Sequence, residues 1–416
     1  MGDTVAHVPR PTSRVRPPRP RPVAWGRLWT MAFAHFTGDL YAAFLAPLLP
    51  LVVTKFGLSL ALAGLMGTAF NATAALSQPL FGLAADRLTR PVFTVVGPTI
   101  TVLGMGLVGL APSYALMLGI LVLTGLGVAA FHPQAFALAG QLGGSQRGTA
   151  LSVFVAGGEL GYALGPLFVA PIVGSLGLQG TVAAALPGLG ACGALWVLTR
   201  NWRGTPPAPP DRLARDLRRH GRLLALVWLI VVIRSVIILS FILFLPLLLR
   251  QRGQSLLLGA TAVFLFGGIG ALGGLLGGAL SDRLGRRAVL AISFLVGTPL
   301  LLLFTATASP WGLLPLALGG MSLYLSAPVN VAIAQEVLPR RASLASAMVT
   351  GMAWGMAGIS LTLVGAVADR IGLAQTLSLL VGLSAVGLVA IWALPTRRRG
   401  GEEPGEGGPA GAPTLR

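Results

Sequence analysis

Six ionisable side chains interrupt long apolar stretches of a chain in which only 10% of residues are charged: His35, Asp39, His132, Glu159, Arg234 and Glu336. A carboxylate or imidazole in such surroundings can hold a proton and release it, and a guanidinium can hold an anion. His35 and Asp39 are four residues apart, so on a helix they share one face and can meet. Each such charge costs about 2.5–3.5 kcal/mol in an apolar span, so it persists only with a partner, with water or with a task. Asp39, Glu159 and Arg234 each lie about 11 or 12 residues into their stretches, which at a rise of about 1.5 Å per residue gives all three a similar depth. We expect Asp39, Glu159 and His35 to carry protons, and Arg234, His132 and Asp39 to line a solute site. Each has a plainer alternative. Asp39 could form a structural salt bridge, Glu159 a packing hydrogen bond, and Arg234 could neutralise either carboxylate. His132 precedes Pro133 and could satisfy backbone groups that proline leaves unpaired. Glu336 is expected to pair at the surface with Arg340 and Arg341.

The elements that must position these residues are apolar helices. Runs at 28–50, 59–83, 91–111, 114–140, 148–173 and 180–198 are followed by an Arg-rich segment. Six more follow at 223–249, 257–280, 288–308, 311–335, 343–367 and 374–394. Each is about as long as the roughly 20 residues a helix needs to cross a bilayer. The expected fold is an all-α membrane protein with twelve transmembrane helices in two pseudo-symmetric six-helix bundles. The expected organisation is a disordered Arg/Pro-rich tail over 1–27, bundles over 28–198 and 223–394, a linker over 199–222, and a disordered tail over 395–416.

The chain is 54% hydrophobic, whereas a soluble domain carries about 25% charged residues, so a soluble enzyme is excluded. One cysteine, Cys192, excludes an internal disulfide and a cysteine-based metal centre. The net charge of +18 comes from 30 basic residues, all arginine except Lys55. They form no single patch, which argues against nucleic acid. Nearly all fall in the tails, the linker and alternate loops, which places both termini in the cytoplasm by the positive-inside rule. No metal cluster, nucleophile motif or sizeable soluble domain supports a membrane enzyme or receptor.

The two halves repeat. Gly82 and Asp86 match Gly278 and Asp282, Pro50 matches Pro246, and Pro133 matches Pro328. Ser152, Gly157 and Gly161 match Ser346, Gly351 and Gly355. Such duplicated six-helix units are the architecture of a rocking secondary transporter. The loop containing Asp86, Arg87 and Arg90, with its fuller copy at Asp282, Arg283, Arg286 and Arg287, resembles the signature loop of the major facilitator superfamily. These residues are expected to latch one face of the protein and release it. The first half further resembles the fosmidomycin-resistance group of bacterial drug exporters, through His35-Phe36-Thr37-Gly38-Asp39, Phe131-His132-Pro133 and the run from Gly157 to Pro166. Gly161, Gly165 and Pro166 in that run are expected to pack helices closely, either to let the halves slide or bend or as ordinary small-residue packing. Thr89 and Pro91 depart from the full loop pattern, and helix 4 lacks the arginine that many drug/proton antiporters carry. The resemblance implies a monomer in the bacterial cytoplasmic membrane that exports a small molecule, using the proton gradient and no cofactor or metal. An importer of a small organic anion or sugar would use the same fold.

Overall fold

The computed structural model describes residues 22–85, 87–203, 213–338 and 351–394. The expected tails over 1–21 and 395–416, Asp86, Arg340 and Arg341 lie outside the described residues. Among the described residues there are twelve helices long and apolar enough to cross a membrane, and no strand. They are α1 (Trp25–Phe56), α2 (Leu60–Ala85), α3 (Phe93–Leu110), α4 (Tyr114–Leu142), α5 (Gly148–Leu176) and α6 (Gly180–Thr199). The second half follows as α7 (Gly221–Gln251), α8 (Leu256–Leu284), α9 (Arg286–Ala306), α10 (Leu313–Val337), α11 (Met352–Ile371) and α12 (Leu373–Trp392).

Most spans start or end a few residues from their expected bounds, and helix enters both the expected tail and the expected linker. Helix begins at Trp25, inside the segment expected to be a tail, because Ala24 donates its N–H to the Leu142 carbonyl and Arg27 stacks on Trp202. The helix that contains α7 already begins at Leu213, inside the expected linker.

Prolines break two spans. In α1 regular helix stops at Ala42 and resumes at Leu45, and in α10 it stops at Tyr324 and resumes at Ser326. Pro47 and Pro328 each lack the N–H that would bond four residues back, at Ala43 and Tyr324. The break in α1 comes one turn after Asp39.

The repeat read from the sequence recurs in capping and turn chemistry. Gly57 and Gly253 both adopt positive φ, at 61° and 76°, after the first helix of each half. Ser59 and Ser255 then cap α2 and α8, their hydroxyls accepting the N–H of Leu62 and Leu258. Lys55 donates to the carbonyl of Ala111, and Arg252 to that of Thr307, tying equivalent helix ends together in each half.

With six spans in each half, the start of α1, the end of α6, the start of α7 and the end of α12 lie at one end of the bundle, here called the linker end. The opposite hairpin end is where the halves join. There α1 and α7 are buried almost continuously, around Phe44, Leu48 and Leu49 on one side and Phe241, Phe244 and Leu245 on the other. One hydrophobic cluster spans both halves.

Candidate functional site

The central polar residues of the first half are held by close helix packing. A Cβ on Gly157, Gly161 or Gly165 of α5 would collide with the backbone of Ala32, Phe36 or Leu40 of α1. These glycines therefore seat α5 on α1 within one half. The close helix packing expected of Gly161 and Gly165 is found, and it lies within one half. Bare backbone on one helix binds whichever backbone is nearest, and here that is α1. Pro166 lies within α5 and does not end it.

This contact fixes His35. A Cβ on Gly158 would enter the His35 ring, so the ring occupies the space that glycine leaves. The ring stacks on Phe154 with centroids 4.3 Å apart and meets His132 edge-on at 5.2 Å. Its Nδ1 lies 2.9 Å from the Phe154 carbonyl, and its Nε2 lies 3.2 Å from Asp39 Oδ2. His132 faces the same carboxylate, with Nε2 3.9 Å from Oδ1 and Nδ1 2.9 Å from the Val128 carbonyl. The expected meeting of His35 and Asp39 is found. His132, expected as a solute ligand or a backbone partner, does bond the backbone and also completes a three-base cluster. The three donor atoms lie within 4.8 Å of one another, a spacing that admits one small cation.

Glu159 follows Gly158 on α5 and is exposed, although His35, Asp39 and Arg234 all act on it electrostatically. It is therefore accessible while within electrostatic reach of Arg234 in the other half. Arg234, on α7, is buried to 4% exposure, and its Nε has no hydrogen-bond partner among the described residues. The charged or polar groups acting on it are Tyr324 of α10 and Glu159. Of the two carboxylates that Arg234 could neutralise, Asp39 is held by the histidines, and Glu159 is the one that acts on Arg234. Tyr162 and Tyr324 belong to the same cluster and were missed in the sequence, because a search for charges passes over phenols. Asn330 was missed too; both its amide atoms are buried without a partner among the described residues.

The signature loops behave differently. In the second loop Arg286 bonds Ser281 at 2.5 Å, Asp282 at 3.1 Å and Glu336 at 3.0 Å. Arg287 donates to the Trp392 carbonyl and lies over its ring. Glu336 thus forms a structural pair, as expected, with Arg286; its expected partners Arg340 and Arg341 lie outside the described residues. Arg283 is exposed, as are Arg87 and Arg90 of the first loop. All of these contacts stay within one half. The cross-half hydrogen bonds among the described residues instead join α2 to α11. Asp369, which the sequence did not single out, accepts from the N–H groups of Leu60 at 2.7 Å and Ala61 at 2.9 Å. Thr68 bonds Thr362 and the Gly358 carbonyl deeper in the same seam.

Comparisons with known proteins agree with this architecture. The family model of the Major Facilitator Superfamily matches residues 31–360. The fosmidomycin resistance protein of Escherichia coli is 28% identical over 385 residues, covering 90% of this chain and 94% of that protein. The MFS-type transporter YfnC of Bacillus subtilis, itself uncharacterised, is 28% identical over 397 residues, covering 89% and 93%. Among solved structures, a bacterial homologue of the human lysosomal transporter Spinster, inward-facing and unoccupied, superposes with a TM-score of 0.74 at 17% identity, covering 88% of this chain and 95% of that one. The nucleoside transporter NupG gives 0.67 at 14% identity, covering 88% and 98%. Duplicated halves, twelve spans and the family match lead to one conclusion: the chain is a multi-pass membrane transporter and belongs to the Major Facilitator Superfamily.

Proposed function

We propose that this protein is a proton-coupled exporter of small organic anions, working by alternating access with its linker end in the cytoplasm. The observation that carries the reading is Arg234, a guanidinium buried to 4% exposure with an unpartnered Nε, in electrostatic reach of a carboxylate on the opposite half. A buried cation without a tight partner is a site for an anionic group. Glu159 and the Asp39 cluster supply groups that can exchange a proton as the anion binds and leaves. The basic residues of the linker end support the orientation in a bacterial inner membrane. The relative named for fosmidomycin resistance supports the outward direction.

One charge moved through 100 mV is worth about 2.3 kcal/mol, enough for an accumulation of several tens-fold if coupling is tight. The test is fosmidomycin transport in proteoliposomes under an imposed pH gradient, together with a panel of anionic, neutral and cationic solutes. Wild-type protein should concentrate anionic solutes, and Arg234→Ala should weaken these at least tenfold more than neutral ones. Asp39→Asn should lose the gradient-driven part and keep downhill exchange. Gradient-independent transport by wild-type protein would end the proton-coupled reading. Loss of accumulation in cells lacking the protein would make it an importer.

A further inference from the structure

We propose that His35, Asp39 and His132 form a binding site for one divalent transition-metal ion of the Zn²⁺ type, held between α1 and α4. The inference depends neither on proton coupling nor on which solute is moved. It goes beyond the function proposed above by giving these three side chains a ligand of another kind.

It follows from counting donors and acceptors. A backbone carbonyl only accepts, so the 2.9 Å contacts with Phe154 and Val128 make Nδ1 a donor in both rings. With each ring neutral, both Nε2 atoms then carry lone pairs. Both lie against one carboxylate: His35 Nε2 is 3.2 Å from Oδ2 of Asp39, and His132 Nε2 is 3.9 Å from Oδ1. Three electron-pair donors thus converge with no hydrogen between them. A metal ion at their centre satisfies all three at once.

The donor set selects the ion. Two imidazole nitrogens and a carboxylate oxygen suit Zn²⁺ and its neighbours in the transition series, whereas Mg²⁺ and Ca²⁺ take oxygen ligands. Ligand atoms at about 2.0–2.1 Å from a tetrahedral Zn²⁺ stand about 3.3 Å from one another. The His35–Asp39 spacing is already 3.2 Å. No separation among the three exceeds 4.8 Å, so closing around the ion takes shifts of about 1.5 Å or less.

The surroundings hold the ligands as a metal site does. A metal-bound histidine ordinarily donates its second ring nitrogen to a carbonyl or carboxylate, which fixes the ring. Both rings do so here. The His35 ring is further enclosed by Phe131, Phe136 and Phe154 and fitted against the bare face of Gly158. Glu159 is in electrostatic reach of His35 and Asp39, so two carboxylates balance a divalent charge inside an apolar span. The side chains of Asp39 and His132 are each 19% exposed, which leaves the cluster open to an entering ion and to a fourth ligand. Three protein ligands with an open side distinguish zinc sites that take a further ligand from closed structural ones. Sequence spacing brings together only His35 and Asp39; His132 arrives from α4 through the fold.

The test titrates Zn²⁺ into full-length, untagged, chelator-treated protein in detergent. Calorimetry should show one ion bound per chain with micromolar or tighter affinity, and no comparable binding of Mg²⁺. Bound Zn²⁺ should also raise the melting temperature. His132→Gln and Asp39→Asn should each weaken binding about tenfold or more while keeping the wild-type size-exclusion profile. The chain's other two histidines are His7 and His220. The double variant His7→Gln, His220→Gln should bind as wild type does. In that double variant nitrogen-15 nuclear magnetic resonance sees only His35 and His132, so the site can be read even if a ligand variant fails to fold. Zn²⁺ should move the Nε2 signals of both rings and leave Nδ1 protonated. Absence of stoichiometric binding, binding that survives His132→Gln in folded protein, unmoved Nε2 signals or equal binding of Mg²⁺ would each overturn the proposal. None of these outcomes bears on the proteoliposome assay, which tests proton coupling separately.

Discussion

Helices α5 and α11 descend from the same position in the repeated unit and carry matching glycines, yet they grip different partners. In α5, Gly157, Gly161 and Gly165 face the α1 backbone in their own half. In α11, Gly355, Gly358 and Gly365 face Ala75, Asn71 and Leu60 of α2 in the other half. In return, Gly64 of α2 receives the Leu361 carbonyl. One copy of the motif thus builds a rigid bed for the His35–Asp39 pair, and the other closes the hairpin end. A seam that must open in alternating access differs from one that must stay shut. Bare backbone lends itself to both, because glycine brings helices together without fixing them by interlocked side chains.

This contrast can be broken experimentally. The largest effect is expected from Gly161→Leu, whose side chain has no room against Phe36. It should cost about 3 kcal/mol by overpacking and remove most folded protein from the membrane, read by size-exclusion profile. A wild-type profile would mean that the α1–α5 bed can open. Gly64→Leu should instead leave folded protein that cannot close its hairpin end. Cysteines placed at Thr68 and Thr362, whose hydroxyls are 2.9 Å apart, should cross-link readily in the parent and at least tenfold more slowly with Gly64→Leu.

A smaller shift is expected from Asp369→Ala, which strips two acceptor contacts from the first turn of α2. Caps of this kind are worth about 1 kcal/mol, so the same cross-link should slow about fivefold, and Asp369→Asn should restore most of the rate. The smallest effect on closure is expected from Asp282→Asn. Asp282 is 71% exposed, and its pair with Arg286 stays in its own half, so stability should change by about 0–1 kcal/mol with hairpin-end cross-linking unaltered. A transport loss of about threefold without loss of folded protein would show that the loop acts in the opposite state, when the linker end closes. Unchanged transport would leave it a structural loop.

Much of the fold was legible because lipid leaves few choices. Long apolar runs must become helices, since unpaired backbone groups are too costly in hydrocarbon. The repeat was legible from paired prolines, glycines and loop aspartates, and the structure extends it to Ser59 with Ser255 and Ala111 with Thr307. The His35–Asp39 contact was legible from helical spacing alone. Asp369 was not, because near the end of a helix a lone aspartate reads as ordinary surface charge. Only the fold shows that it caps a helix of the other half.

The sequence by itself determined twelve apolar helices, their duplication and which few ionisable groups lie within them, because these depend on composition and on contacts within a turn or two. Tertiary structure alone decided the partners. It brought His132 to Asp39 across some ninety residues, set Arg234 opposite Glu159, and gave one glycine face to α1 and its copy to α2. The physical reason is that a buried charge specifies only that some partner is needed, and a glycine only that something may come close. Which group arrives is settled by how the helices cross.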